Sequence, residues 1–310
     1  MRVQRVRITG VKKAIALLAG LLLSTSLQAA AAHAQGPPRQ PQPGSLKVVF
    51  LAGPKEHGSE GRHEYEKDLR ELAWMLENST NLTNLEITTE VLVGKPSRDL
   101  SYLDGADLVV MDSNGDWLPN ETGLFFPQAA EHDGRTYDDE TMAYLRALEQ
   151  KIEDEQIGMA MFHYTMWVDN WAGRSILERW FGGVWIPYLS QNPVDTWSVS
   201  VLAPRHQILS GVDTWTMREE MYSRYFLPYD PARTDLLLGT PTNNENGPQV
   251  IAYAYERPDG GRGFVYGGLD YHDNMHLYEG LRTFLVNALV WTGGQRVPRE
   301  GVQMPAPPEL

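Results

Sequence analysis

The chain has 310 residues, with 27 Lys and Arg against 40 Asp and Glu, a net charge of −13, and no Cys. Its 42% hydrophobic and 22% charged residues suffice for one large buried core, which rules out wholesale disorder. The absence of Cys excludes disulfides, thiolate metal ligands, a Cys nucleophile and a lipoprotein anchor, and the acidity argues against nucleic acid and anionic membranes as partners.

Arg2, Arg5, Arg7, Lys12 and Lys13 form a basic leader, and Ala14 to Leu27 is an apolar stretch too short to span a bilayer comfortably. Ala32-His33-Ala34 then offers a small-x-small cleavage site. Residues 1–34 are therefore expected to be a signal peptide of the general secretory route, leaving a periplasmic or secreted domain with no membrane attachment. Residues 35–45 read as a Pro-rich linker, 46–294 as the folded domain, and 295–310 as a Pro-rich tail that wraps the surface or frays.

Lys47 to Gly53 is a short apolar run that signals a buried strand. Leu69, Leu72, Ala73 and Leu76 recur at helical spacing, and Leu85 to Val93 alternates like a strand. Ala106 to Met111 predicts a second apolar strand. Met142, Leu145, Leu148 and Ile152 mark a helix that Asp138 or Asp139 can cap. Ile157 to Phe162 is a third apolar strand, followed by a helix over Arg174 to Phe181. Val250 to Tyr255 and Gly263 to Gly268 predict a pair joined by a Pro-Asp-Gly-Gly turn, and Leu281 to Leu289 a last helix. Strands alternating with helices, several apolar throughout, predict an α/β fold: a mostly parallel sheet with helices on both faces. Gly260-Gly261-Arg262-Gly263 precedes a strand and reads as a hairpin turn, so no nucleotide cofactor is expected. The segment from Gly182 to Tyr225 either continues the sheet or forms a lobe over the site.

Ligands of open α/β sheets bind beyond the carboxyl ends of the strands. The residues after each apolar run are His57 and His63; then Asp112, Asn114 and Trp117; then His163 and Trp167; then Asp270, His272 and His276. Five histidines thus follow expected strand ends. Imidazoles beside carboxylates suit a divalent metal such as zinc or manganese, or metal-free acid/base work by the same groups. His272 and His276 are four apart, but are expected in a loop. His163 sits where a nucleophile elbow would place Ser or Cys, so acyl transfer through that position is excluded. Trp117 and Trp167 suit stacking on a sugar ring. Glu219, Glu220 and Tyr222 form a further polar group.

These residues resemble the trehalose-utilisation (ThuA-like) family of the class I glutamine-amidotransferase-like superfamily. The resemblance rests on four ordered motifs: KVVFLAGPKEHGSEGRHEYEKDL from Lys47, GMAMFHY from Gly158, HQILSGVDTWTMREEMY from His206, and GGRGFVYGGLDYHDN from Gly260 with the helix LRTFLVNALVW after it. It covers Leu46 to Trp291. It implies a flavodoxin-like domain in which His replaces the amidotransferase Cys, with site residues falling on His57, His63, His163, Glu220 and His272. Glu219 stands where the family usually has Asp, and Gln207 where it usually has Pro. The step from Gly268 to His272 is longer than the family's, which leaves open whether Asp270 or His272 reaches the site.

By that resemblance the chain is expected to act on carbohydrate, by metal-assisted hydrolysis, elimination or isomerisation of an oxidised (3-keto) sugar or glycoside. His163, Glu220 and Asp270 are the expected catalytic residues, and His57, His63, His163 and His272 the metal ligands. Asp112, Asn114, Trp117, Trp167 and Tyr222 are the expected substrate contacts. The competing readings are a non-catalytic carbohydrate-binding protein and an interaction module that forms a homodimer through its acidic surface.

Overall fold

The structure, a computed structural model, describes residues 44–116, 124–127, 136–243 and 247–309. The expected signal peptide, nearly all of the linker, and Trp117 lie outside the described residues. Strand β1 (Ser45–Ala52) is followed by helix α1 (Tyr65–Glu77), the edge strand β2 (Glu86–Val93) and β3 (Leu108–Asp112). Helix α2 (Asp139–Asp154) and β4 (Gly158–Phe162) come next, then α3 (Trp171–Phe181). Asp138 caps α2 by accepting from Thr141 N, and Asn170 caps α3 by accepting from Ala172 N, each a side-chain oxygen meeting a free first-turn N–H.

β1, β3 and β4 are apolar at nearly every position because they are buried on both faces. Val48, Phe50, Val110, Ala160 and Phe162 face a core shared with α1 and with helix α5 (Glu279–Thr292). Val49, Leu51, Val109, Met111, Met159 and Met161 face a second core with α2 and α3. This is the period-2 alternation of a strand feeding two cores in place of one core and solvent. β2, by contrast, alternates exposed and half-buried along most of its length, as an edge strand does.

The remaining strands are β5 (Val194–Val201), β6 (Thr216–Glu220), β7 (Arg233–Pro241), β8 (Gln249–Glu256) and β9 (Arg262–Tyr266). The sheet order is β2-β1-β3-β4-β9-β8-β7-β5-β6. The β2 to β9 half is parallel and the β9 to β6 half antiparallel. The parallel half is the expected α/β unit. The Gly182 to Tyr225 segment continues the sheet in part, as β5 and β6 of the antiparallel half. β5 alternates exposed and buried residues, the pattern of a strand covered on one face. β8 and β9 form the expected hairpin across the Pro-Asp-Gly-Gly turn.

The tail docks instead of fraying: Val302 is fully buried in the core beside α5, and Gln303 O accepts from Thr80 N. No helix among the described residues is long and apolar enough to cross a membrane. The arrangement brings the carboxyl ends of β1, β3, β4 and β9 side by side.

Candidate functional site

His163 is the first residue after β4 and has a φ of 43°, left-handed backbone that residues other than glycine rarely adopt. Such a conformation costs on the order of 1–3 kcal/mol and clusters at functional sites. It turns the imidazole into the interior, where it has no solvent exposure. His163 Nδ1 lies 3.2 Å from Gly267 O, and a carbonyl only accepts, so Nδ1 carries the proton and Nε2 presents a lone pair. Gly267 is needed there: a Cβ on it would stand 2.0 Å from Tyr222 O.

His63 arrives from the loop after β1, also left-handed at a φ of 53°. Its Nε2 lies 3.2 Å from His163 Nε2 and 3.3 Å from Asp270 Oδ1. The 61–63 loop is held by backbone pairing with the loop after β9, His63 N donating to Asp270 O and His272 N to Gly61 O. Arg62 donates from Nε to Asp270 Oδ2 at 2.8 Å and from its terminal nitrogen to Glu220, whose other oxygen accepts from Asn192. The nitrogens of His63 and His163 and carboxylate oxygens of Glu220 and Asp270 all lie within 4.8 Å of one another. Burial pushes the His163 imidazole down to about 3, against its bond to Gly267; burial and the neighbouring His163 do the same to His63. Both rings are therefore neutral at pH 7, the state in which imidazole binds a metal or takes a proton. Burial, with Asp270 close by, raises Glu220 above the usual carboxylate range.

Glu219 builds the wall of this site. Fully buried, it accepts from the backbone N–H groups of Asp270 and Leu269 and from the Asn274 amide. It thereby fixes the loop in which Leu269 takes a φ of 89° and Asp270 points inward. That geometry decides which residue after β9 reaches the cluster: Asp270 does. His272 is a correction to the expected ligand set, because two residues further on it turns toward α1. There its Nδ1 meets Asp68 Oδ1 at 2.7 Å and its Nε2 meets Glu71.

His57 stacks on His63 with ring centroids 4.0 Å apart, covering the cluster from the solvent side. Asp112, Asn114 and Tyr222 are buried beneath it with almost no exposure, as His163 and Asp270 are. Asn114 accepts from Tyr65 OH, and Tyr222 packs edge-on against His163 at 4.7 Å. Neither oxygen of Asp112 has a hydrogen-bond donor, and burial raises its carboxyl well above the usual range. Trp167 lies half-buried against Trp185, with the exposed Tyr188 ring 6.5 Å away. Sequence reasoning missed Arg62 and Asn192. A cation adjoining a loop histidine in so acidic a chain was a readable sign for Arg62; nothing local marks Asn192.

A Cys-free cluster of two neutral imidazoles and two carboxylates thus sits at the carboxyl edge of the doubly covered, parallel half of an α/β sheet. No protein-family model and no curated protein matches the sequence. Among solved structures, a protein described as ThuA-like from Bacteroides uniformis is similar at a TM-score of 0.53 and 13% identity, over 83% of this chain and 94% of that one. At this identity the likeness is one of fold, and at that level it bears out the resemblance read from the four motifs. A glutamine amidotransferase from Thermotoga maritima aligns at a TM-score of 0.36 and 11% identity, over 72% of this chain and 75% of that one. A carbohydrate deacetylase aligns at 0.46 and 11%, over 82% of this chain and 33% of that one.

Proposed function

We propose that this is an exported carbohydrate-active enzyme that performs metal-assisted proton chemistry on an oxidised (3-keto) sugar or glycoside. The observation that carries the proposal is that His63 Nε2 lies within 3.3 Å of both His163 Nε2 and Asp270 Oδ1, all neutral-imidazole or carboxylate donors. The donor set fits a divalent ion: the His163 tautomer leaves Nε2 free to coordinate, and Asp270 Oδ1 accepts no hydrogen bond. His63, His163 and Asp270 would hold zinc or manganese, with Glu220 beside them. When bound, such an ion would polarise a sugar carbonyl or a water.

A 3-keto group acidifies the neighbouring C–H, so elimination or isomerisation needs a base placed beside it. Glu220 suits that task. Its side chain keeps 16% exposure where Asp270 has none, so it is the carboxylate a substrate can reach. Arg62 and Asn192 fix one oxygen each, and the raised affinity for a proton brings it toward the range of a general base at neutral pH. Trp167 and Tyr188 supply apolar faces at the rim for the C–H face of a sugar. The leader read in residues 1–34 supports export.

The test is turnover of a 3-keto disaccharide against its unoxidised parent, with zinc or manganese added. Glu220→Gln is expected to lower turnover by about a hundredfold or more while the sugar still binds. A wild-type protein that binds the sugar, turns over neither compound, and loses binding in Trp167→Ala alone would make it a binding protein instead.

A further inference from the structure

A second histidine and carboxylate cluster lies where α1 meets the short helix α4 (Asp273–Leu277). Asp68 and Glu71, three apart on the inner side of α1, have no solvent exposure, and His272 and His276 face them from either end of α4. Glu71 Oε1 lies 3.0 Å from His276 Nε2 and 3.3 Å from His272 Nε2. Donors bound tetrahedrally at 2.0–2.1 Å stand roughly 3.3 Å apart, so these three atoms already outline one face of such a shell. Asp68 Oδ1 takes the other nitrogen of His272, the carboxylate-to-His contact that orients a metal-binding imidazole. Glu71 Oε2 and Asp68 Oδ2 are buried and accept no hydrogen bond. Buried carboxylate oxygens without a donor are costly, and a cation among them removes the cost.

We propose that Glu71, His272 and His276, with Asp68 orienting His272, form a second divalent-cation site that takes zinc or a similar first-row ion. Two neutral imidazoles, two carboxylates and one divalent ion balance in charge. The His276 side chain is 21% exposed and leaves an open side for entry and for a water ligand. Arg282 donates to the carbonyls of Met275 and His276 and so fixes the last turn of α4. The ion would clamp α4 to α1 and stiffen the loop that presents Asp270. The site shares no ligand with the His63 and His163 cluster and does not rest on the function proposed for it.

The test is zinc stoichiometry and affinity of the untagged, EDTA-stripped, leaderless chain titrated with zinc alone. His276→Ala is expected to remove one equivalent that His163→Ala leaves in place, and Asp68→Asn to weaken that equivalent roughly 10- to 100-fold. In zinc-soaked wild-type crystals an anomalous peak is expected about 2.1 Å from Nε2 of both His272 and His276, a readout that needs no variant to fold. Zinc binding unchanged by His276→Ala, with no peak between these side chains, would overturn the site. Loss of zinc in His163→Ala bears on the central cluster alone, so the two readings fail separately.

Discussion

The two histidine clusters are built from the same residue types and are in opposite states. His163 and His63 are enclosed by other rings and by a carbonyl, and burial holds both at about 3. His272 touches two buried carboxylates, and the hydrogen bond it donates to Asp68, with that to Glu71, lifts it to about 10. One site presents lone pairs and the other, without metal, holds an imidazolium. A histidine's chemistry is thus set by what the backbone brings to its second nitrogen: Gly267 O in one case, Asp68 in the other.

The comparison can be broken from either side. The largest effect is expected from His163→Ala, which removes a ring nitrogen from the centre of the first cluster: turnover should fall at least about a hundredfold, while zinc bound near His276 is unchanged. Gly267→Ala comes next, because its Cβ cannot coexist with Tyr222 O at 2.0 Å. Chemical denaturation should show a loss of about 2–4 kcal/mol or an insoluble protein, since the obstacle is backbone and β9 must shift. Glu219→Ala should cost about 2–3 kcal/mol by stranding the backbone N–H groups of the Asp270 loop. It should also weaken both clusters together, the one substitution here expected to do so.

The smallest effect is the pH dependence of stability in metal-free protein, and it has two arms. Below an ordinary pKa of 6.5 the unfolded chain takes protons that folded His63 and His163 refuse, so stability falls as pH drops from 6.5 toward 3. Burial raises Asp68 to about 6, which opposes this arm between 3.8 and 6. The contribution of His272 is fully present below 6.5 and is lost as pH rises through about 10. Melting temperature against pH should therefore decline on both sides of neutrality, and His272→Gln should flatten the alkaline arm.

Much of this was legible in the sequence. Fully apolar runs marked β1, β3 and β4 because each feeds two cores, and the strand-end rule then led to His63, His163 and Asp270. The antiparallel half was harder to place, since β5 and β6 alternate and carry little apolar signal. His272 was misassigned because the path of the chain after Gly268 depends on Glu219, fifty residues away, which no local pattern reveals. The spacing of His272 and His276 was informative but looked like loop; α4 is a five-residue helix, too short for hydrophobic periodicity. Asp68 and Glu71 were visible as acids inside the apolar stripe of α1, where Tyr65, Leu69, Leu72 and Leu76 are buried. An acid in such a stripe is a sign of a partner.

The most direct test of the contrast between the clusters is the protonation state of each imidazole, read by long-range nitrogen–proton NMR of metal-free protein across pH 5 to 9. The structure predicts His163 neutral with its proton on Nδ1 throughout, and His272 doubly protonated at pH 7 and beyond. A His163 that titrates near 6.5, or a His272 neutral at pH 7, would contradict it.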